Sequence, residues 1–300
     1  VGLLVITPDD DGYDINSPTF LVYDSTTKQL VHTCNRLEAL NAVEFTGQKR
    51  PTFRPYGITS DTDCLYVVSH NKLGKFNKHT YQLTELLNIP LFVNTHKILR
   101  HRDSIYVTNT SNNTIGIHNL EKQTHCFFDV NTLTLTQDVV APEHAESHDT
   151  AHVNSLCAVD DKVYFALNNL NKRASQFGYF NVDTYEAEIL VEAGLRTHGV
   201  QVVAGKLYSL SSGTGEVVEI DLHTKDVALY KVVDSVKTYL RGLDVLDGAV
   251  VFCGSNTYSE ERTIYMNNCF VAQFDAQTKK SKVLLNVDAA YIIADMKVLN

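Results

Sequence analysis

One short pattern of hydrophobic and polar positions recurs along the chain: an apolar residue, then Asp or Asn, two further residues, then Thr. It reads Tyr23-Asp24…Thr27, Phe76-Asn77…Thr80, Phe180-Asn181…Thr184, Ile220-Asp221…Thr224 and Phe274-Asp275…Thr278. A sixth copy, His118-Asn119…Lys122, lacks the Thr. Asp and Asn open turns because their side chains accept hydrogen bonds from backbone amides just ahead, while the apolar residue closes a strand. A further strand-like run follows each copy, so each predicts a hairpin. Successive copies lie 53, 42, 62, 40 and 54 residues apart, which suits four-stranded blades with variable loops.

A second pattern lies upstream of each hairpin. An apolar residue is followed seven positions later by an apolar or aromatic strand: Ile58 by Leu65-Tyr66, Ile98 by Ile105-Tyr106, Leu156 by Val163-Tyr164, Val200 by Leu207-Tyr208, and Leu243 by Val250-Val251. Turn residues such as Asp63, Asp103, Asp161, Gly205 and Gly248 stand between them. Five repeats thus have an inner strand, a turn and a second strand, whereas the first begins at its second strand, Leu3-Leu4-Val5-Ile6. The missing inner strand is at the far end, in Asp295-Met296-Lys297-Val298-Leu299, and reading from Met296 through the end of the chain to Leu3 restores the same spacing. The fold expected is therefore all-β: a six-bladed β-propeller of four-stranded blades, one domain over residues 1–300, closed by a C-terminal strand at about 294–299. Its blades fall at about 291–300 with 1–40, then 54–90, 95–135, 152–192, 197–235 and 240–287.

Composition adds limits. At 44% hydrophobic and 20% charged the chain has the make-up of an ordinary globular protein, and its Val, Thr and Tyr favour strands. The net charge of −9 is spread out with no Lys/Arg run, which argues against a nucleic-acid track or an anionic membrane surface as partner. No apolar stretch approaches the length of a membrane span. The six cysteines are scattered without a CxxC pair, so reduced, mostly buried thiols in a cytoplasmic protein are expected. Two sequons, starting at Asn109 and Asn112, bear on the protein only if it is secreted. Nothing in the sequence indicates an oligomeric state.

Inner strands of a propeller line its channel, so residues two positions before each key apolar residue should gather at one mouth. That column reads Tyr56, His96, Asn154, His198, Arg241 and Ala294, with Arg54, His152 and Asp295 beside it. Two chemistries fit. His96, His152 and His198, with Asp295, could hold a divalent metal such as Zn²⁺, Mn²⁺ or Ca²⁺ that polarises a substrate or activates water. Alternatively, Arg54 and Arg241 clamp a carboxylate or phosphate, Tyr56 and Asn154 bind the substrate, and His152 and His198 move protons. A purely structural use, in which these groups bind ordered water and one another, competes with both.

The remaining motifs are weaker. The stretch 142–152 spaces histidines four apart, as one face of a helical turn would, but reads better as an inter-blade loop. Ser211-Ser212-Gly213-Thr214-Gly215-Glu216 has no phosphate-loop Lys and reads as a turn joining the middle strands of blade five. The polar stretch 255–268 is long for a hairpin loop and could cover one end of the ring.

Several motifs resemble a functionally uncharacterised family of bacterial propellers. They are His152-Val153-Asn154-Ser155-Leu156, Thr197-His198, Leu210-Ser211-Ser212-Gly213-Thr214-Gly215-Glu216 and Leu240-Arg241-Gly242-Leu243, with Arg54-Pro55-Tyr56-Gly57-Ile58 upstream. The chain departs from that family at Thr197, where Pro is usual, and before Asp295, where an aromatic is usual. The architecture is more loosely similar to NHL and gluconolactonase-type propellers, some of them calcium-dependent hydrolases. The resemblance implies a six-bladed propeller and puts forward His152, Asn154, His198, Arg241 and Arg54; it implies no reaction. The expectation carried forward is an enzyme handling a small anionic metabolite at the channel mouth by metal-assisted hydrolysis, elimination or isomerisation. Its rival is a non-catalytic propeller that binds a peptide, glycan or partner protein on one face.

Overall fold

The computed structural model describes residues 2–9, 18–35, 55–69, 72–88, 94–122, 124–136, 149–232, 239–255, 269–287 and 292–299. They form six small antiparallel sheets. Blade one pairs β1 (Leu3–Asp9), β2 (Pro18–Asp24) and β3 (Leu30–Asn35) with the closing strand β25 (Ile292–Leu299), which lies innermost. Blade two is β4 (Gly57–Ser60) to β7 (Leu83–Asn88), and blade three runs from β8 (Thr95–His101) to β12 (Thr134–Thr136). Blades four, five and six are β13 (Val153–Val159) to β16 (Ala187–Glu192), β17 (Thr197–Val203) to β20 (Val227–Lys231), and β21 (Tyr239–Leu246) to β24 (Lys280–Val287). The inner strands β25, β4, β8, β13, β17 and β21 touch in cyclic order, so the sheets form a six-bladed β-propeller. The expected closure is present: β25 pairs antiparallel with β1, Met296 opposite Ile6 and Leu299 opposite Leu3. Blade three departs from the expected four strands, because β12 adds a short fifth beside β11 (Thr124–Asp129).

The core lies between blades. Phe20 and Val22 of blade one pack on Ile58, Val67 and Phe76 of blade two, and the other five interfaces each have a comparable apolar cluster. The six key residues of the spacing pattern, Ile58, Ile98, Leu156, Val200, Leu243 and Met296, are each at most 1% exposed. A full turn of blades is needed to cover them, since each blade buries its faces only against its neighbours.

All six predicted turns form. The side-chain Oδ1 of Asp24, Asn77, Asn119, Asn181, Asp221 and Asp275 accepts from the amides two and three residues ahead at 2.7–3.1 Å. The copy at Asn119 survives loss of its Thr because the third position contributes its backbone N–H, which Lys122 supplies equally well. In five copies the residue after the Thr has positive φ (Lys28, Tyr81, Tyr185, Lys225 and Lys279), and its amide returns to the carbonyl of the Asp or Asn. These turns close each blade at the end of the ring opposite the starts of the inner strands.

All six cysteines are free thiols, four buried and two half-buried. The sequon residues Asn109 and Asn112 are buried, and the Asn109 amide donates to Thr114 Oγ1, so neither is available to carry a glycan in the fold. Among the described residues no helix is long and apolar enough to cross a membrane.

The turn amides hold the carboxyls of Asp24, Asp221 and Asp275 below the ordinary value, the largest contributions coming from Thr27, Thr224 and Thr278 respectively. A carboxyl depressed by folding contributes stability above its unfolded pKa and loses it as pH falls through the folded one. Asn makes the same turn without the charge, as Asn77 and Asn181 do. The triple variant D24N/D221N/D275N is therefore expected to match wild type in urea denaturation at neutral pH. It should lose less stability than wild type between about pH 5 and pH 2.

Candidate functional site at the channel mouth

Each inner strand starts at the mouth, and most are irregular there. Pairing with the second strand slips at Thr95/Ile98, Val153/Ser155, His198/Val200 and Arg241/Leu243, and β25 slips against β1 between Asp295 and Ile293. Each slip is a β-bulge just before the key apolar residue, and it re-aims the side chains beside it. In blades five and six the extra residue is a glycine with positive φ, Gly199 (+71°) and Gly242 (+57°). A Cβ on Gly199 would lie 2.5 Å from Leu243 Cβ, and one on Gly242 would lie 2.5 Å from Cys253 Sγ, so these strands approach too closely for a side chain.

The bulges bring Tyr56, His96, Asn154, His198, Arg241 and Ala294 around one cavity, together with Lys97 and Asp295. The cavity gives water centres about 20 Å³ to occupy, so it takes water or one small polar group at its base. His152 stands beside this lining: its ring meets that of His96 at 5.1 Å and 67°, and His96 in turn lies 5.2 Å from the Tyr56 ring. Across the mouth the Tyr239 ring contacts both His198 (5.5 Å) and the Arg241 guanidinium (5.2 Å). Arg54, the histidines at 144 and 148, and residues 256–268 lie outside the described residues.

His198 is the most constrained group. Its Nδ1 is 2.8 Å from Ser212 Oγ, and the Ser212 hydroxyl donates to the Leu240 carbonyl. A hydroxyl has one hydrogen, so the His198–Ser212 bond takes its hydrogen from Nδ1 and the ring keeps its lone pair on Nε2. Burial, then the Arg241 and His152 charges, hold the His198 pKa well below the usual imidazole value, against a smaller opposing pull from the Arg196 carbonyl. The ring is accordingly neutral at pH 7. The same bond rules out Ser212 as an activated nucleophile, since its proton goes to a backbone carbonyl rather than to the imidazole.

Asp295 and Asn154 serve the frame. Both Asp295 oxygens contact Lys97 Nζ, at 2.7 and 2.6 Å, and Oδ2 also accepts from Ile58 N at 3.0 Å. Burial pushes the Asp295 carboxyl up, while Lys97 and the amide pull it back. The Asn154 amide donates to Thr197 O and accepts from Ser155 Oγ, fixing blade four against blade five. The expected metal set of His96, His152, His198 and Asp295 does not form one: among the described residues no three His, Cys, Asp or Glu side chains are grouped to hold a metal ion. One carboxylate of that set is engaged by a lysine, and one imidazole has its Nδ1 engaged by a hydroxyl. Nor does thiol chemistry fit, because burial pushes Cys253, behind Arg241 and Gly242, well above the usual thiol value.

Lys97, Asp149, Arg196, Ser212 and Tyr239 were not picked out by sequence reasoning. A signal was present for two of them, Arg196 and Tyr239. Four positions before the key apolar residue lie Asn94, His152, Arg196 and Tyr239, and the first three share a positive φ of 51–52°.

No protein-family model matches the chain, and neither does any curated protein. Among solved structures, a chain of a nidogen/laminin complex superposes with a TM-score of 0.68 at 10% identity, covering 100% of this chain and 99% of that one. A Bacteroides caccae protein of unknown function gives 0.62 at 9% identity, with the same coverage. A streptogramin B lyase gives 0.53 at 15%, covering 76% of this chain and 67% of that one. At such identities the likeness is one of fold.

Truncating one partner of a buried ion pair leaves the other charge without compensation. Lys97→Met should lower the unfolding free energy by about 3–5 kcal/mol, and adding Asp295→Asn should restore part of it. Equal loss in the single and double variants, measured by urea denaturation, would show that the pair is not coupled.

Proposed function

We propose that the protein is an enzyme that acts on a small anionic molecule at the channel mouth by proton transfer, in an isomerisation or an elimination. The observation that carries this reading is the state of His198: a buried neutral imidazole, its Nδ1–H committed to Ser212, in a cavity lined also by Arg241. In this reading Nε2 accepts a proton from the substrate and becomes an imidazolium N–H. The electron pair left on the substrate develops as negative charge that the guanidinium meets. In an isomerisation His198 returns the proton to a different atom; in an elimination the leaving group departs with the electrons of the bond that breaks. Because its pKa is depressed, His198 stays available as an acceptor at neutral pH. The motif resemblance around His152–Leu156 and Leu240–Leu243 puts forward the same residues, and one structural neighbour is a streptogramin B lyase. Metal-assisted hydrolysis finds no support in the described donor groups.

The second reading, a propeller that binds a partner protein on one face, is favoured by one observation. One of the neighbours that superpose over the whole chain comes from a nidogen/laminin complex. Fold likeness alone does not choose between the two.

A thermal-shift screen of small carboxylates and phosphates separates them. Wild type should be stabilised by at least one anion, Arg241→Ala should lose that shift, and His198→Gln should bind the anion without converting it. Absence of any shift, or a wild-type shift in Arg241→Ala, would favour the partner-binding reading.

A further inference from the structure

Blade three breaks the repeat at one buried position. The residue just before each turn is Tyr23, Phe76, Phe180, Ile220 or Phe274 in the other five blades, none more than 7% exposed. Each packs into the seam with the preceding blade. Opposite them on the outer strand stand Leu30, Leu83, Ala187, Val227 and Ser281. In blade three, β10 (Thr114–Asn119) carries His118 there, and β11 sets His125 directly opposite it. The other blades make the same hairpin with no imidazole at either place.

The two rings are stacked, centroids 4.4 Å apart and planes at 19°. His118 is 5% exposed, and its Nδ1 is buried without a hydrogen-bond partner. The Thr124 carbonyl takes a hydrogen bond from the same ring, so the N–H is Nε2 and the lone pair is on Nδ1. Metal-binding histidines are held in this way, one nitrogen fixed by an acceptor and the other left bare. A buried acceptor with nothing to accept from is costly, and a bound ion is one of the groups that relieves it. His125 is exposed, so it can turn its ring edge toward that lone pair at the loss of one stacking contact. Residues directly opposite on antiparallel strands have Cβ atoms about 5 Å apart, close enough for two imidazoles to converge on one ion.

The surroundings suit a cation. Burial favours the neutral, metal-binding form of His118, and among the described residues no lysine or arginine bears on its charge. No carboxylate among them joins the pair, so the donors are nitrogens alone. Such a set selects late transition ions over Mg²⁺ and Ca²⁺.

We infer that His118 and His125 form a binding site for a late first-row divalent cation, Cu²⁺ above all, with water completing its coordination. The site lies in the seam between blades two and three, beside Ile105, at the end of the ring opposite the mouth. It does not depend on the proposed function.

The test is a Cu²⁺ titration of the full chain, read by EPR and by thermal unfolding. The first equivalent should show nitrogen superhyperfine structure from two imidazoles and raise the unfolding temperature. Zn²⁺ should act more weakly, and Mg²⁺ or Ca²⁺ not at all. His118→Phe and His125→Leu place here the residues of blade two, Phe76 and Leu83, and are chosen to keep the fold. Each should weaken Cu²⁺ binding at least about tenfold, and either suffices if the other does not fold. His198→Gln, at the mouth, should bind Cu²⁺ as wild type does. Wild-type affinity in either seam variant, loss of the ion in His198→Gln, or no bound equivalent in wild type overturns this inference.

Discussion

The Lys97–Asp295 pair joins three blades at the point where the ring closes. Asp295 belongs to the last strand, its Oδ2 receives the Ile58 amide of blade two, and Lys97 reaches it from blade three. Burying both charges is costly, and such a pair is a weak source of net stability. What it gives here is register. A slip of one residue in β25 would turn the carboxylate away from both partners and point Met296 out of the core. The closing strand therefore has one arrangement in which its charge, its amide acceptor and its apolar face are all satisfied.

The same logic repeats around the ring with other side chains. Thr110 donates to Val153 O between blades three and four, Ser155 accepts from Gly199 N between four and five, and Asp244 accepts from Val298 N between six and one. Inner strands of neighbouring blades do not pair as a sheet, so their backbone groups depend on short polar side chains from next door. The mouth inherits its precision from this stitching. Bulges at the starts of the strands turn one set of side chains toward the axis, while residues one step along tie the blades together.

The site is cationic and imidazole-rich although the chain carries a net charge of −9. Local geometry resolves the contrast: Asp295 is neutralised by Lys97, and Asp149 Oδ2 is engaged with His152 Nδ1. The Arg241 guanidinium lies 5.2 Å from the centre of the Tyr239 ring. The neighbours in structure range from a chain of a protein–protein complex to a lyase, as expected of a fold that carries its function in a few side chains.

The blade pattern was legible in the sequence because it rests on local physics. An Asp or Asn followed by the right amides makes its turn wherever it stands, and seven-residue spacing between apolar positions sets a hairpin without help from distant residues. The column of Tyr56, His96, Asn154, His198, Arg241 and Ala294 could be read for the same reason, since strands in equivalent positions put equivalent residues at one mouth. Only the folded ring could show that Asp295 faces Lys97 rather than the histidines, that Asn154 binds a neighbouring carbonyl, and that Ser212 fixes the tautomer of His198. Those contacts join residues far apart in the chain, and they depend on bulges and close approaches that no local pattern encodes. The sequence determined which residues stand at the starts of the inner strands; the tertiary structure decided which of them are engaged with one another, because those contacts cross from blade to blade.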